Sequence, residues 1–506
     1  MECVNKDEYE SFYGTLLFVL TLANLRIQQM RKSLHYLLAL VLFGVFFASY
    51  TDLLSHVLYY NEQHQLFLYT ADYYHSQTLT GWLTAFVVQF FYYPLLGAAV
   101  MSGLLTAIYL MSWRILTALT LREDMLRLSL IPSLALWVWT AGLSHTLSVV
   151  VWAFIVLAVI SVPACFLAKG KTIKQFPLTG WKYAAVSIVS LAVISLASGY
   201  SFLRSFSMSE FRMIKAQQAL DRHDWDDALH HTERYLDNQR QPNPLIFYFH
   251  NIALYNKGEL LNRLFDYQPV VGINALYFPW QSRTRETEYG HYLLEQLGCI
   301  NDAQHWEFEA MVVWGETAPR LINLARYNII NRRKTIARKY IARLRQSLFY
   351  KDEADRLEAC VESGQIEGLR AFSIKEPEKA NFVNILNIGP NLQYVLTQDP
   401  HNRMAYEYLM CDLLLSNNLS RFVENLPLAS SFYEQMPRIF DEALLVYQLG
   451  GNDTKGLQPS SDTQNRFQQY AQLAQTGNIA ALQAEFGNTY WFYLNYVSPY
   501  GNRLKK

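Results

Sequence analysis

The chain has 506 residues, 51% hydrophobic and 17% charged, with 43 Lys and Arg balanced by 43 Asp and Glu. That length accommodates two or more folding units, the apolar content excludes a disordered chain, and a net charge of zero removes the electrostatic case for a nucleic-acid partner. Residues 1–204 hold only 12 of the basic and 9 of the acidic residues, so charge is concentrated beyond Arg204.

In chain order, Tyr13 to Leu25 is apolar but short for a membrane span, and Met30-Arg31-Lys32 then leads straight into a longer apolar run. Met30 therefore reads as a candidate start, with residues 1–29 an extension or partly inserted segment. Tyr36 to Tyr60 is the first expected span. Ala85 to Trp113 is the second, interrupted by Pro94, where a kink or an interfacial half-helix is expected. Leu128 to Leu143 and Leu147 to Ala168 are the third and fourth, joined by a turn at Ser144-His145. The fifth, Tyr183 to Leu203, is uncharged between Lys182 and Arg204, and at ~1.5 Å of rise per residue it reaches about 30 Å, the thickness of a bilayer's hydrocarbon core.

Lys and Arg fall on every second connection: Arg26, Arg31 and Lys32; then Arg114, Arg122 and Arg127; then Lys169, Lys171, Lys174 and Lys182. By the positive-inside rule those connections are cytoplasmic and the chain leaves Leu203 on the outer side. The expectation is an all-α protein: a bundle of about five transmembrane helices over 30–204, then a soluble domain over 205–506 outside the cytoplasm.

The first outer loop and the second span are crowded with rings, among them Tyr69, Tyr73 and Tyr74. They read as an aromatic belt at headgroup level or a platform for a lipid or glycan, and both readings lay the loop flat on the membrane surface. Asp52 is a carboxylate inside an apolar run with His56 four residues on, and Glu62 and Asp72 follow in the loop. Ionisable groups at membrane depth often mark a functional path.

From Ser207 the apolar period becomes that of short helix pairs. Met213, Ala216 and Leu220 share one face; Trp225, Ala228, Leu229, Thr232 and Leu236 form the next, with Asp224 placed as its N-cap. Ala219 and Asp224 recur as Ala253 and Gly258, an offset of 34 residues. Similar pairs are readable at Ile329 to Leu344, Met404 to Leu426 and Phe467 to Phe486, turning near Arg333-Lys334, Ser416-Asn417-Asn418 and Thr476-Gly477-Asn478. Residues 268–320 and 362–398 do not fit the period, and Gly451 to Asp462 reads as an exposed loop. This pattern resembles the tetratricopeptide family, which implies an α-solenoid whose concave face binds a protein or peptide.

QLFLYTADYY (Gln65 to Tyr74), FVVQFFYYPLLGA (Phe86 to Ala98), the helix pairs and the closing TYWFYLNY (Thr489 to Tyr496) together resemble an uncharacterised family of bacterial multi-pass membrane proteins, common among Bacteroidetes, with helical-repeat tails. The likeness runs from about Met30 and implies architecture and an inner-membrane location with the repeat domain in the periplasm. It implies no activity.

Catalytic signatures are scarce. Gly170-Lys171-Thr172 lacks the first glycine and the preceding strand of a phosphate loop, and the five cysteines have neither zinc-ligand nor disulfide-framework spacing. Asp226 with His230, and Asp227 with His231, are acid and His pairs at i, i+4 that can hold a metal, although acids in a first turn also serve the helix dipole. Arg332, Arg333, Lys334, Arg338, Lys339, Arg343 and Arg345 form the densest basic run, either a solvated helix face or a contact for headgroups or an acidic partner; Arg332, Arg333 and Lys339 are the candidate contact residues. The expected function is a membrane-anchored scaffold, in contact with the lipid bilayer and binding an unknown protein or peptide, with no cofactor. The alternative is an enzyme acting on a lipid-linked sugar or similar amphiphile through Asp52, Glu62 or Asp72.

Overall fold

Helix is the regular structure of this chain: among the described residues no strand forms, and β pairing is limited to two isolated bridges, Arg122 with Lys174 and Ile366 with Leu369. The computed structural model describes residues 33–54, 57, 58, 60, 66–142, 146–169, 174, 180–239, 241–279, 285–372 and 388–500. Met30, His56, Glu62, Ser144-His145 and Gly170-Lys171-Thr172 lie outside the described residues, as does the side chain of Asp52. The chain divides into two compact units, Met1–Gln63 with Thr70–Ser207, and His64–Tyr69 with Met208–Lys506.

Among the described residues, three helices of the first unit are long and apolar enough to cross a membrane: α4 (Pro94–Thr120), α6 (Ser148–Ala168) and α7 (Gly180–Ser205). The others are shorter: α1 (Ser33–Ser49), which continues through a π-turn at Tyr50–Leu54, α2 (Ala71–Ser76), α3 (Leu79–Val88) and α5 (Leu130–Thr140). With 11 residues, α5 is only about 16 Å long.

The interruption expected at Pro94 is present, but it falls just ahead of the proline, and the helix that follows runs past Trp113 to Thr120. The break falls at Gln89–Tyr92, a 3₁₀ turn, and Pro94 opens a new helix as its N1 residue. The reason is local. Pro94 holds Tyr93 in extended geometry and lacks an N–H that the first turn could not have paired anyway. Gly97 then lets the 3₁₀ turn fold back, since a Cβ there would sit 2.4 Å from the Phe91 ring.

The core of this unit is Phe46, Tyr50, Met101, Leu105, Tyr109, Leu130, Trp137 and Val150. Polar links thread it: Tyr50 to Thr140 at 2.7 Å, Trp137 Nε1 donating to Ser49 Oγ at 2.9 Å, and Ser133 Oγ donating to the Leu105 carbonyl at 2.8 Å. By contrast α7 is bare. Its most apolar window is only 11% buried, with Trp181, Ile188, Val193, Leu196, Tyr200 and Leu203 exposed.

The second unit is built of helix hairpins. Its helices are α8 (Met208–Asp221), α9 (Trp225–Leu236), α10 (Pro244–Lys257), α11 (Leu260–Arg263), α12 (His291–Gln296), α13 (Ile300–Trp314), α14 (Ala318–Ile330), α15 (Lys334–Arg345) and α16 (Lys351–Val361). They continue as α17 (Gly389–Gln398), α18 (Arg403–Leu415), α19 (Leu419–Asn425), α20 (Arg438–Leu449), α21 (Ser461–Gln475) and α22 (Ile479–Phe486).

Five hairpins close in the same way. A residue one or two positions past the first helix is left-handed (His223, Gly258, Gly298, Arg332, Asn417), and the N–H of the next residue returns to a carbonyl five positions back, as in Asp224 to Ala219 at 2.9 Å and Asn418 to Leu413 at 2.8 Å. This is the Schellman closure, which satisfies carbonyls the helix end leaves unpaired. The expected cap sits in it, Asp224 accepting from the Asp227 N–H, and Asn418 and Asn478, expected as turn residues, cap α19 and α22. The turn geometry aligns His223, not Asp224, with Gly258, which makes that offset 35 residues, while Gly298 to Arg332 is 34. The pair beginning at α10 is lopsided, because α11 has only four residues.

The closing TYWFYLNY folds into the core. Tyr490, Trp491, Phe492 and Tyr493 are all buried, and the carboxylate of Glu442 accepts from the Tyr490 N–H at 2.8 Å.

Candidate functional site

The second unit contains a short guest from earlier in the sequence. Residues 66–69 cross the open end of the α14–α15 hairpin, from just before the N-cap of α14 to the C-cap of α15. The Leu66 N–H donates to the Glu316 carbonyl at 3.1 Å and the Tyr69 N–H to the Gln346 carbonyl at 3.0 Å. Gln346 is the C-cap of α15, where carbonyls lack intrahelical partners and the dipole favours a donor. Leu66, Phe67 and Leu68 are buried, whereas Tyr69 is 52% exposed. Three consecutive buried side chains mean that the segment is enclosed on both faces.

Side chains hold this seat in shape. Arg343 donates to Glu316 Oε2 at 2.8 Å and to Gln346 Oε1 at 3.3 Å, so one guanidinium clasps both residues whose carbonyls receive the guest. The expectation that the aromatic loop lies flat on a membrane surface is therefore corrected for residues 66–68, which are packed inside protein. In the first unit Tyr73 is buried and Tyr74 is 47% exposed, its ring edge-on to Trp82 at 5.7 Å. Asp72 lies in the first turn of α2.

The rest of the basic run is largely absorbed. Arg338 reaches Glu358 at 2.8 Å and Glu362 at 2.7 Å, Lys334 reaches Glu362 at 2.5 Å, and Arg345 reaches Asp355 at 2.8 Å. Arg333 donates to Gln304 and Asn301, Arg332 to the Ser363 carbonyl, and Lys339 is exposed. The acids of α16 stand at helical spacing opposite α15, which makes this face an ionic seam between neighbouring helices. Because its members are exposed, Arg338→Ala is expected to shift stability by less than about 1 kcal/mol in chemical denaturation.

At α9 the two acids of the metal candidates are engaged by basic side chains, and of the expected i, i+4 pairs Asp227 with His231 is in contact. Asp226 pairs with Lys257 at 2.7 Å, and Asp227 pairs with Arg222 at 3.1 Å and with His231 at 3.3 Å; His230 meets His231 ring to ring at 5.3 Å. Among the described residues no group of three or more His, Cys, Asp or Glu is placed to hold a metal ion.

A largely buried polar network joins α12, α13 and α14, with an exposed link to α8 at Asp221. Glu307, 2% exposed, accepts from Asn323 at 2.6 Å and lies 3.3 Å from His291. Arg326 and Tyr327 both donate to Glu295, at 2.9 and 2.6 Å, and Tyr292 donates to Asp221. The network's members pair with one another, Glu307 Oε2 excepted, and so brace α12, α13 and α14 against each other.

A family model described as a family of unknown function, DUF6057, matches residues 26–203 and 149–497. The chain belongs to the DUF6057 family. No curated protein and no solved structure matches it.

The DUF6057 matches take in both units, including a buried cluster in the first that the sequence reading passes over. Arg127, 3% exposed and left-handed at φ 57°, donates to Ser187 at 2.8 Å and lies 3.0 Å from His35, whose other ring nitrogen is 2.8 Å from the Tyr109 hydroxyl. His35 stacks on Trp113 at 4.3 Å. Arg127 lies on the connection between α4 and α5, where the sequence places it, and its side chain is buried there. No spacing signal links positions 35, 109, 127 and 187 in this DUF6057 sequence, because each lies on a different element.

Proposed function

We propose that this chain is a membrane-anchored binding protein whose hairpin unit, a tetratricopeptide-like solenoid, receives extended apolar segments at the α14–α15 seat. The observation that carries the reading is the guest at residues 66–69. It is held at both ends by main-chain N–H groups, and main-chain recognition accepts any extended segment whose side chains fit, as in other peptide-binding modes. The clasp of Arg343 on Glu316 and Gln346 supports a preformed seat.

The anchor is read as five crossings: α1 with its π-turn, α3 with α4, the short α5, α6 and α7. The exposed apolar faces of α6 and α7 support lipid contact. For α5, local thinning of the bilayer offsets its length. On this topology the hairpin unit faces the outer side of a bacterial cytoplasmic membrane, the periplasm, and serves envelope assembly or transport.

Two measurements test the reading. A reporter fused after Arg204 is expected to be active only outside the cytoplasm; activity inside sinks the topology. With residues 66–69 replaced by Gly-Ser-Gly-Ser in the full detergent-solubilised chain, a synthetic peptide copying residues 65–74 is expected to bind saturably. Failure of that peptide to bind sinks the seat.

A further inference from the structure

One end of the hairpin unit leaves large apolar side chains in solvent. It is the end where α13 finishes, α14 begins and α15 finishes, brought together by the contact of Arg343, in the last turn of α15, with Glu316, just ahead of α14, at 2.8 Å. Two further contacts add the start of α8. Arg285 pairs with Glu210 in the first turn of α8, and the Trp314 indole N–H donates to Thr287, two residues from Arg285, at 3.2 Å. On this rim Val312 is 64% exposed, and Met208, Trp314, Leu348 and Tyr69 are exposed as well. Met208, Trp314 and Leu348 each lie two residues from a member of those contacts or from Gln346, which holds Tyr69.

Charge on the rim is largely cancelled. Glu316 pairs with Arg343, Glu210 with Arg285 and, at 3.2 Å, Glu288 with Arg320. Lys351 and Asp352, exposed in the first turn of α16, are of opposite sign. An apolar, near-neutral surface loses little by leaving bulk water, and such patches mark contacts with protein or membrane.

Chain continuity decides between those two. Tyr69 is followed at once by Thr70 of the first unit, and Met208 follows Ser207, the last residue of that unit. Only Phe206 and Ser207 separate Met208 from the end of α7, so at ~3.6 Å per extended residue Met208 starts within about 11 Å of it. The headgroup zones of a bilayer add roughly 10–15 Å to its ~30 Å core. A rim tethered this closely to a membrane-crossing helix is within reach of the headgroups, the level at which Trp and Tyr rings settle.

We propose that this rim docks the hairpin unit onto the bilayer leaflet at which α7 ends. Met208, Val312 and Leu348 meet the acyl chains there, with the Trp314 and Tyr69 rings among the headgroups. The inference rests on α7 crossing a membrane and does not depend on peptide binding at the α14–α15 seat.

The test reconstitutes the full chain in nanodiscs of phosphatidylethanolamine and phosphatidylglycerol, with p-benzoylphenylalanine in place of one exposed residue at a time, and reads photo-adducts by mass spectrometry. Probes in place of Val312 and Leu348 are expected to form lipid adducts. A probe in place of Ile336, exposed in the first turn of α15 and therefore at its far end, is expected to form none. A probe in place of Leu196, exposed on α7, reports the crossing itself. Lipid adducts at position 196 with none at 312 and 348 overturn the docking and leave the crossing standing, whereas absence at all three removes both. Adducts between two copies of the chain at 312 and 348 in place of lipid adducts, or an equal lipid yield at 336, also overturn it.

Discussion

Trp491→Ala is expected to destabilise the hairpin unit by about 3–5 kcal/mol, the usual range for removing a buried aromatic. Trp491 is 1% exposed, packs edge-on against Phe467 at 5.1 Å, and its indole N–H donates to the Glu442 carbonyl at 3.1 Å. Its own carbonyl accepts from the Tyr470 hydroxyl at 3.3 Å. One side chain thus joins α20, α21 and the closing segment, and its loss removes apolar burial and a hydrogen bond together. Hydrogen exchange should show lost protection concentrated over residues 438–497. Ile479→Ala, at a residue 47% exposed, should change stability by less than about 0.5 kcal/mol. Equal effects of the two substitutions would contradict this account of the closing segment.

Phe67→Ala is the second large effect, expected to cost about 3–5 kcal/mol of seating free energy. Phe67 is 2% exposed and lies between the two main-chain bonds that fix the guest. An approximately thousandfold shift in occupancy follows from the middle of that range. It should appear as fast amide exchange at Leu66 and Tyr69, because these N–H groups have Glu316 and Gln346 as acceptors only while the segment is seated. Tyr69→Ala, which removes an exposed ring and keeps its backbone donor, should leave that exchange nearly unchanged. Slow exchange at both amides in the Phe67 variant would show that the ring does not hold the segment.

What the sequence reveals and what it conceals divide along a physical line. The hairpin turns of the second unit are legible because their determinants are local. Asp224, Asn418 and Asn478 offer short acceptors to N–H groups two or three residues on, and the expected turns fall where these caps sit. The long apolar runs of α6 and α7 are legible for the same reason, since hydropathy is a local sum. The register of the repeat is less legible: aligning Asp224 with Gly258 misses by one residue the position that takes positive φ.

Hydropathy also overreads α5, whose apolar run extends to Leu143 while the helix stops at Thr140, ahead of Ala141-Gly142. The candidate sites depend on partners distant in the chain. The basic run of α15 looks like a free cationic surface until α16 places Asp355, Glu358 and Glu362 against it. Their spacing on one helical face is a signal that a search for neighbouring acidic helices would find. Residues 66–69 gave no such signal. An apolar tetrad in a loop carries no label for the helix ends that will accept its N–H groups.

That guest also sets an order of events during synthesis. Leu66 and Tyr69 precede their acceptors by 250 and 277 positions, so at about 5–20 residues per second the ribosome supplies Glu316 some 10–50 s after Leu66. Throughout that interval Leu66, Phe67 and Leu68 have no native burial site, and the contact that finally covers them is among the most nonlocal in the chain. Closing it is a late step, and until then the nascent protein carries an adhesive apolar stretch that a chaperone or a neighbouring copy can capture.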